Sequence, residues 1–263
     1  MSSVARLAVV TGGNTGIGLA IVQTLAGEGW DVAISYIAHE ETARDTVAKL
    51  SATGRFAWAK RCDVGIKTDV EQFFDALLQE SGRAPDLLVN NAGVQTWSSL
   101  LELDDQSWDQ VLRTNAKGCF LNTQKAAKQM IAAGKRGAIV NIGSGCSKAP
   151  FPRLVNYSAS KAAIDQFTRS AAIELGPHGI TVNCVAPGAI ENERTRGEAP
   201  NFAATWSAIT PMRRVGNAAD VVNAVLFFAD PKSNFITGQT LYVDGGVFTQ
   251  PNWPYGSCRP EGN

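Results

Sequence analysis

Short runs of consecutive apolar residues alternate along the chain with longer stretches whose apolar positions recur every three or four residues. The runs, at 7–11, 32–36, 56–62, 87–90, 138–142, 181–186 and 240–243, predict seven strands. They are continuous rather than alternating, as strands are when both faces of a parallel sheet are covered. Helical periodicity occupies 17–26, 41–51, 70–81, 106–133, 158–175 and 218–228. Alternation of this kind predicts βαβ units and an α/β fold, a doubly wound parallel sheet with helices on both faces. No internal repeat or low-complexity linker divides residues 1–263, which read as a single domain.

Two segments depart from the rhythm. Residues 188–214 hold Pro200, Pro211 and a charged 191–196 run where a crossover helix is expected. A long insertion of this kind predicts a mobile substrate lid. The end of the chain, 247–263, is irregular, and from Gly245-Gly246 through Pro251, Pro254, Gly256, Pro260 and Gly262 it carries turn chemistry. It also carries Phe248, Trp253 and Tyr255, which are expected to dock on the folded body.

Composition narrows the class. The chain has 263 residues, 44% hydrophobic and 18% charged, which suits a globular protein with a large core and excludes a disordered one. Its 24 Lys and Arg balance 24 Asp and Glu, so no net field points to nucleic acid or an anionic membrane as a partner. No apolar run reaches the length of a membrane span. The stretch Arg6-Leu7-Ala8-Val9-Val10 leads into a glycine-rich turn rather than a cleavable leader. Cys62, Cys119, Cys146, Cys184 and Cys258 are scattered without a CxxC pair, and His39 and His178 are the only histidines. That pattern predicts no metal site, no disulfide framework and a cytoplasmic location.

Thr11-Gly12-Gly13-Asn14-Thr15-Gly16-Ile17-Gly18 joins the first predicted strand to the first helix. Glycines there let the backbone approach a pyrophosphate, and the helix N-terminus offers free N–H groups. At this junction the turn predicts a dinucleotide site built on Gly12, Asn14, Thr15, Gly16, Ile17 and Gly18, and hence a Rossmann-type sheet. The second strand should set the choice of cofactor. An acidic residue at its end holds the ribose hydroxyls, whereas a nearby Arg accommodates a 2′-phosphate. Here it ends Ser35-Tyr36-Ile37-Ala38-His39, with neither. A 2′-phosphate without a cation loses solvation for little return, so NAD is expected, with NADP left open through His39 or Arg44.

Ser144, Tyr157 and Lys161 carry the chemistry. Tyr157 and Lys161 are four apart and share one helical face, while Ser144 ends a predicted strand, where open α/β sheets bind their ligands. Oxidising an alcohol needs a base for the hydroxyl proton while a nicotinamide accepts the hydride. A free phenol, with a pKa of about 10, is a weak base at neutral pH. A neighbouring ammonium favours its phenolate.

With these residues in place the chain resembles the short-chain dehydrogenase/reductase family over roughly its whole length. The resemblance rests on the 11–18 turn, Asp63-Val64, Asn90-Asn91-Ala92-Gly93, Asn115, the Ser144, Tyr157 and Lys161 set, and Pro187-Gly188. It implies that Asp63 and Val64 contact the adenine, and that Asn90, Asn91, Ala92 and Gly93 line the cofactor cleft. Tyr36 and Ile37, Tyr157 and Lys161, and Pro187 and Gly188 fall in the same cofactor set. Ile190 would hold the nicotinamide amide through its backbone. Asn115 would be catalytic, in a water chain from the lysine to solvent, and the assembly would be a homotetramer. The family usually has a threonine where this chain has Asn192, whose amide can also donate and accept beside the carboxamide.

Within the family the likeness is nearest to bacterial glucose 1-dehydrogenases. It lies in the 148–157 stretch, in Pro187-Gly188-Ala189-Ile190 and in the 244–251 end. This implies oxidation of an aldose at C1 to the lactone. Sugar hydroxyls need several polar partners in a cleft, and Gln95, Ser144, Lys148, Arg153, Asn156 and Glu191 are expected there. Arg153, with Arg194 or Arg196, suits an anionic group on a sugar acid or sulfonated sugar. Trp97 and Trp206 offer an apolar wall. The alternatives are a 3-oxoacyl-thioester (acyl carrier protein) reductase, another ketone reductase, or a non-catalytic dinucleotide-binding protein.

Overall fold

Seven strands form in the computed structural model, which describes residues 5–249, the side chains of Arg194 and Glu198 excepted. They are β1 (Leu7–Thr11), β2 (Asp31–Tyr36), β3 (Ala57–Arg61), β4 (Leu87–Asn90), β5 (Gly137–Ile142), β6 (Ile180–Pro187) and β7 (Thr240–Val243). All pair in parallel, in the order β3-β2-β1-β4-β5-β6-β7. Side chains alternate across a strand, so neighbouring residues of β1 feed different cores. Ala8 and Val10 pack with Ile21, Val22, Leu25, Val221 and Phe228. Leu7 and Val9 pack with Phe73, Phe74, Leu121 and Met130 on the other face. With both faces dry, the central strands are largely apolar at successive positions, which is why they read as continuous runs, whereas the edge strands β3 and β7 are partly exposed.

The helices are α1 (Gly16–Gly27), α2 (Glu40–Ser51), α3 (Lys67–Ser81), α4 (Asp105–Leu112), α5 (Gly118–Ala132), α6 (Val155–Leu175), α7 (Glu193–Glu198), α8 (Phe202–Ile209) and α9 (Ala218–Ala229). α1 and α9 contribute to the first core, and α3, α5 and α6 to the second. Phe73 and Phe74 are fully buried, each contributing about 1.5–3 kcal/mol of apolar burial. The strand order reverses between β1 and β4, opening a crevice at their C-terminal ends, where a sheet of this topology takes its ligand.

Two expected elements differ. The 106–133 helix is not continuous: Arg113–Lys117 forms a π-helical insert between α4 and α5. The insert is tied to the β3–α3 loop by an Arg113–Asp63 ion pair of 3.1 Å, and Gly118 lets α5 lie against Val64. The 188–214 segment is not irregular but carries α7 and α8. Asn192 and Thr195 form a reciprocal capping box that starts α7, a signal the proline and charge content masked. Trp253, Tyr255 and Cys258 lie outside the described residues. Among the described residues no helix is long and apolar enough to cross a membrane, and no cluster of side chains suits a metal ion.

Candidate active site

At the β1–α1 turn the backbone makes the room that the glycines permit. Gly16 has φ +52° and open space where a Cβ would project. A Cβ on Gly18 would overlap the Gly12 carbonyl and the Asn91 amide. The N-cap Thr15 makes no side-chain cap, so the first N–H groups of α1 remain for a ligand. Open space at Gly16 beside an uncapped helix start fits the pyrophosphate of a nicotinamide dinucleotide.

Several amides expected to face that ligand instead hold the walls. Asn14 is buried, and its Nδ2 donates to Ala38 O (2.7 Å) and His39 O (3.0 Å), tying the turn to the loop after β2. Asn91 Nδ2 donates to Thr11 O (3.0 Å) and Gly12 O (3.1 Å). Asn90 turns away from the cleft, and its Nδ2 reaches Asn141 Oδ1 at 2.8 Å and Thr123 Oγ1 at 3.0 Å beneath the site. Thr11, for which the sequence offered no role, accepts on Oγ1 from the N–H groups of Asn91 and Ala92, both at 3.0 Å. Its only signal was a hydroxyl at the end of a strand entering a glycine turn.

On the adenosine side Tyr36 is buried and Ile37 is exposed, while Arg44 is drawn to Glu40 at 2.5 Å. That pairing leaves Arg44 poorly placed for the 2′-phosphate role left open to it. Asp63 Oδ1 accepts from Gly65 N at 2.9 Å, and its Oδ2 takes Arg113. Burial, with Asp69 and Asp63 close by, pushes the Cys62 thiol up to about 12.

Starting α6 at Val155 puts Tyr157 in its first turn and Lys161 one turn on. Lys161 is buried; its Nζ donates to Ile142 O at 2.8 Å and stands 5.5 Å from the centre of the Tyr157 ring. Gly93 passes close to Asn115 and to Lys161 Nζ. Asn115, in the π insert, spends its whole side chain on the scaffold. Its Oδ1 accepts from Val94 N (2.8 Å), and Nδ2 donates to Val94 O and Ser160 Oγ (both 2.9 Å). Ser160, also unforeseen, is fully buried and donates to Tyr157 O at 2.7 Å. Ser144 Oγ accepts from Cys146 N at 3.2 Å, which leaves its own hydrogen to donate. Burial raises the Cys146 thiol above its ordinary value, opposed by hydrogen bonding to Ser144 and by the charge of Lys161.

The substrate candidates divide. Asn156, expected in the cleft, is fully buried; its Nδ2 donates to Ser107 O (3.1 Å) and its Oδ1 accepts from Tyr157 N (2.8 Å). With one end on α4 and the other on the first turn of α6, it ties those helices together rather than holding a ligand. Lys148 lies 5.2 Å over the Tyr242 ring, and Glu191 faces Arg196 at 3.7 Å. Gln95 is half-buried. Arg153 is exposed, has φ +67°, and accepts on its carbonyl from Ser98 N at 2.9 Å. That bond brings Trp97 to Phe151, with ring centres 5.8 Å apart, and Phe151 in turn meets Trp206 of α8 at 5.7 Å. Pro187 ends β6, Gly188 N donates to Val243 O at 2.9 Å, and Ile190 is buried beside Gly216. Asn192, expected at a carboxamide, gives its Oδ1 to Thr195 N at 3.0 Å, so only its amino group remains for a ligand.

Comparison with known proteins agrees with this layout. A family model described as enoyl-(acyl carrier protein) reductase matches residues 12–248. The chain is 37% identical over 243 residues to 3-oxoacyl-(acyl-carrier-protein) reductase FabG of Staphylococcus aureus, covering 92% of this chain and 98% of that protein. Among solved structures, acetoin dehydrogenase from Enterobacter cloacae aligns with a TM-score of 0.87 at 33% identity, over 97% of this chain and 100% of the other. A gluconate 5-dehydrogenase from Burkholderia cenocepacia J2315, in complex with NADP and tartrate, gives 0.87 at 33% identity, over 94% and 96%. These similarities span carrier-protein, acetoin and sugar-acid enzymes, and do not single out the glucose 1-dehydrogenases expected from the sequence.

Proposed function

This chain belongs to the short-chain dehydrogenase/reductase family and is an NAD(P)-dependent oxidoreductase acting on CH–OH groups; we propose that its substrate is an aldose or an anionic sugar relative. C1 of the cyclic hemiacetal is the first candidate carbon, with the lactone as product. What supports a sugar with an anionic arm is Arg153. It is held in a strained backbone conformation four residues before Tyr157, and no carboxylate among the described residues pairs with it. The gluconate 5-dehydrogenase likeness points the same way. That protein's complex with NADP makes NADP at least as good a fit as the NAD expected from β2, so either dinucleotide enters the proposal.

In this reading the bound nicotinamide supplies the hydride acceptor. Ser144 donates its hydroxyl hydrogen to the substrate oxygen, and Tyr157 takes the hydroxyl proton as the carbonyl forms. Lys161, anchored on Ile142 O, favours the phenolate with its charge. Asn115 keeps the Val94 backbone and α6 in place, acting by position. A cytoplasmic homotetramer completes the proposal, and exposed apolar side chains such as Ile173 (77%) and Phe235 (99%) offer surface for a contact between subunits.

The test crosses NAD and NADP with neutral aldoses, sugar acids, sulfonated and phosphorylated sugars, and an acetoacetyl thioester, following cofactor absorbance. Tyr157→Phe should lower kcat by about 100-fold or more while cofactor binding persists. Arg153→Gln should raise KM for anionic sugars alone. Reduction of the acetoacetyl thioester with silence towards every sugar would establish the second reading, a 3-oxoacyl-thioester reductase, which the 37% identical relative favours.

A further inference from the structure

Beyond β7 the chain turns back over the loop that carries Ser144. Asp244 closes the turn, accepting on Oδ1 from Gly246 N (2.8 Å) and on Oδ2 from Phe248 N (3.0 Å). Gly245 and Gly246 take φ of +61° and +88°, values that L side chains rarely adopt. The turn lays the half-buried Phe248 ring on Gly145, so closely that a Cβ there would overlap three ring carbons. Gly145 is the residue after Ser144. The same turn meets the far end of the 188–214 segment, with Gly246 against Pro211 and Gly245 O accepting from Met212 N at 3.3 Å. One turn thus links three chain segments, and its ring lies on the residue after Ser144.

We propose that Phe248 is a specificity-determining residue, a wall that limits the size of the substituent on the reacting carbon, and that Gly145 is glycine in order to seat it. A packed aromatic ring backed by main chain yields little, so the space beside it has a fixed limit. The exposed part of the ring is available to a substrate group. The inference rests on Ser144 holding the substrate oxygen, and is independent of whether that substrate is a sugar.

The experiment uses the full chain and its variants with NADH and NADPH, and three carbonyl probes of increasing bulk: diacetyl, ethyl acetoacetate and ethyl benzoylacetate. Phe248→Ala should raise kcat/KM for the phenyl-bearing probe relative to diacetyl by about tenfold or more, mostly through KM. Phe248→Leu should keep the wild-type ranking. Gly145→Ala should evict the ring and reproduce the Phe248→Ala ranking, yet add little in the double variant, where its methyl fills vacated space. An unchanged ranking in Phe248→Ala overturns the proposal, and inactivity of both enzymes towards all three probes does so too. Thermal unfolding of the wild type, Phe248→Ala, Gly145→Ala and their double variant reads the contact without turnover: an equal cost of Gly145→Ala with and without the ring overturns the seating. Tyr157→Phe with undiminished reduction would sink the catalytic reading instead, so the two failures are distinct.

Discussion

Around the β1–α1 turn, position is held by main chain and amides: Asn91 on Thr11 and Gly12, Asn14 on Ala38 and His39, Thr11 on Asn91 and Ala92. Around α8, position is held by rings: Trp97 on Phe151, Phe151 on Trp206, and Trp206 on Phe202. The first region is directional, and each of these contacts names a donor and an acceptor. The second rests mainly on ring faces, and Trp97 and Phe151 keep 47% and 37% of their surface exposed. A ligand common to many enzymes can be met by a lattice that admits no change. A ligand that varies is better met by apolar faces, which slide and repack at modest cost.

Gly18→Ala attacks the lattice where it is least forgiving and should have the largest effect. Its methyl meets backbone oxygen rather than a flexible side chain, so a cost of about 1–3 kcal/mol is expected, read as a lower Tm with weakened dinucleotide binding by titration. A Tm equal to wild type would mean that the turn yields after all. Trp206→Ala tests the ring side. Losing two ring contacts worth about 0.5–1.5 kcal/mol each should lower Tm by a few degrees and raise the substrate KM roughly two- to tenfold, with cofactor Kd nearly unmoved. A matching loss in cofactor Kd would show that the two regions are not separable.

The smallest effect lies where the 188–214 segment ends and α9 begins. Arg214, bonded to Asp220 at 2.7 and 2.8 Å, holds that carboxyl down at about 2. Because the folded value lies below the unfolded one, the contribution is present above about pH 4 and is lost as pH falls towards 2. Asp220→Asn should therefore lower Tm slightly at neutral pH, and the gap from wild type should close across that acid window. A gap that persists below it would assign the effect to the α9 cap rather than to charge.

How much of this could be read in advance depended on how local each feature is. The long helix expected over 106–133 failed because a π insert keeps apolar periodicity while adding a residue to one turn, and Asp63 selects it from another loop. Asn14, Asn90, Asn115 and Asn156 are alike in a sequence. Each acts here as a brace because of the carbonyl or amide it meets across the fold, which no spacing reveals. Phe248 was expected to dock, but nothing in the chain named Gly145 as its seat.

By itself the sequence determined the seven strands, the burial of the central ones on both faces, the glycine turn and the one-turn spacing of Tyr157 and Lys161. These follow from the fixed periods of strand and helix and from the φ values that glycine alone adopts freely. The tertiary structure decided which polar atoms face a ligand and which face one another, and which ring closes the space beside Ser144. Those outcomes depend on distances between segments remote in the chain, and a buried amide must satisfy its hydrogen bonds with whatever the fold brings beside it.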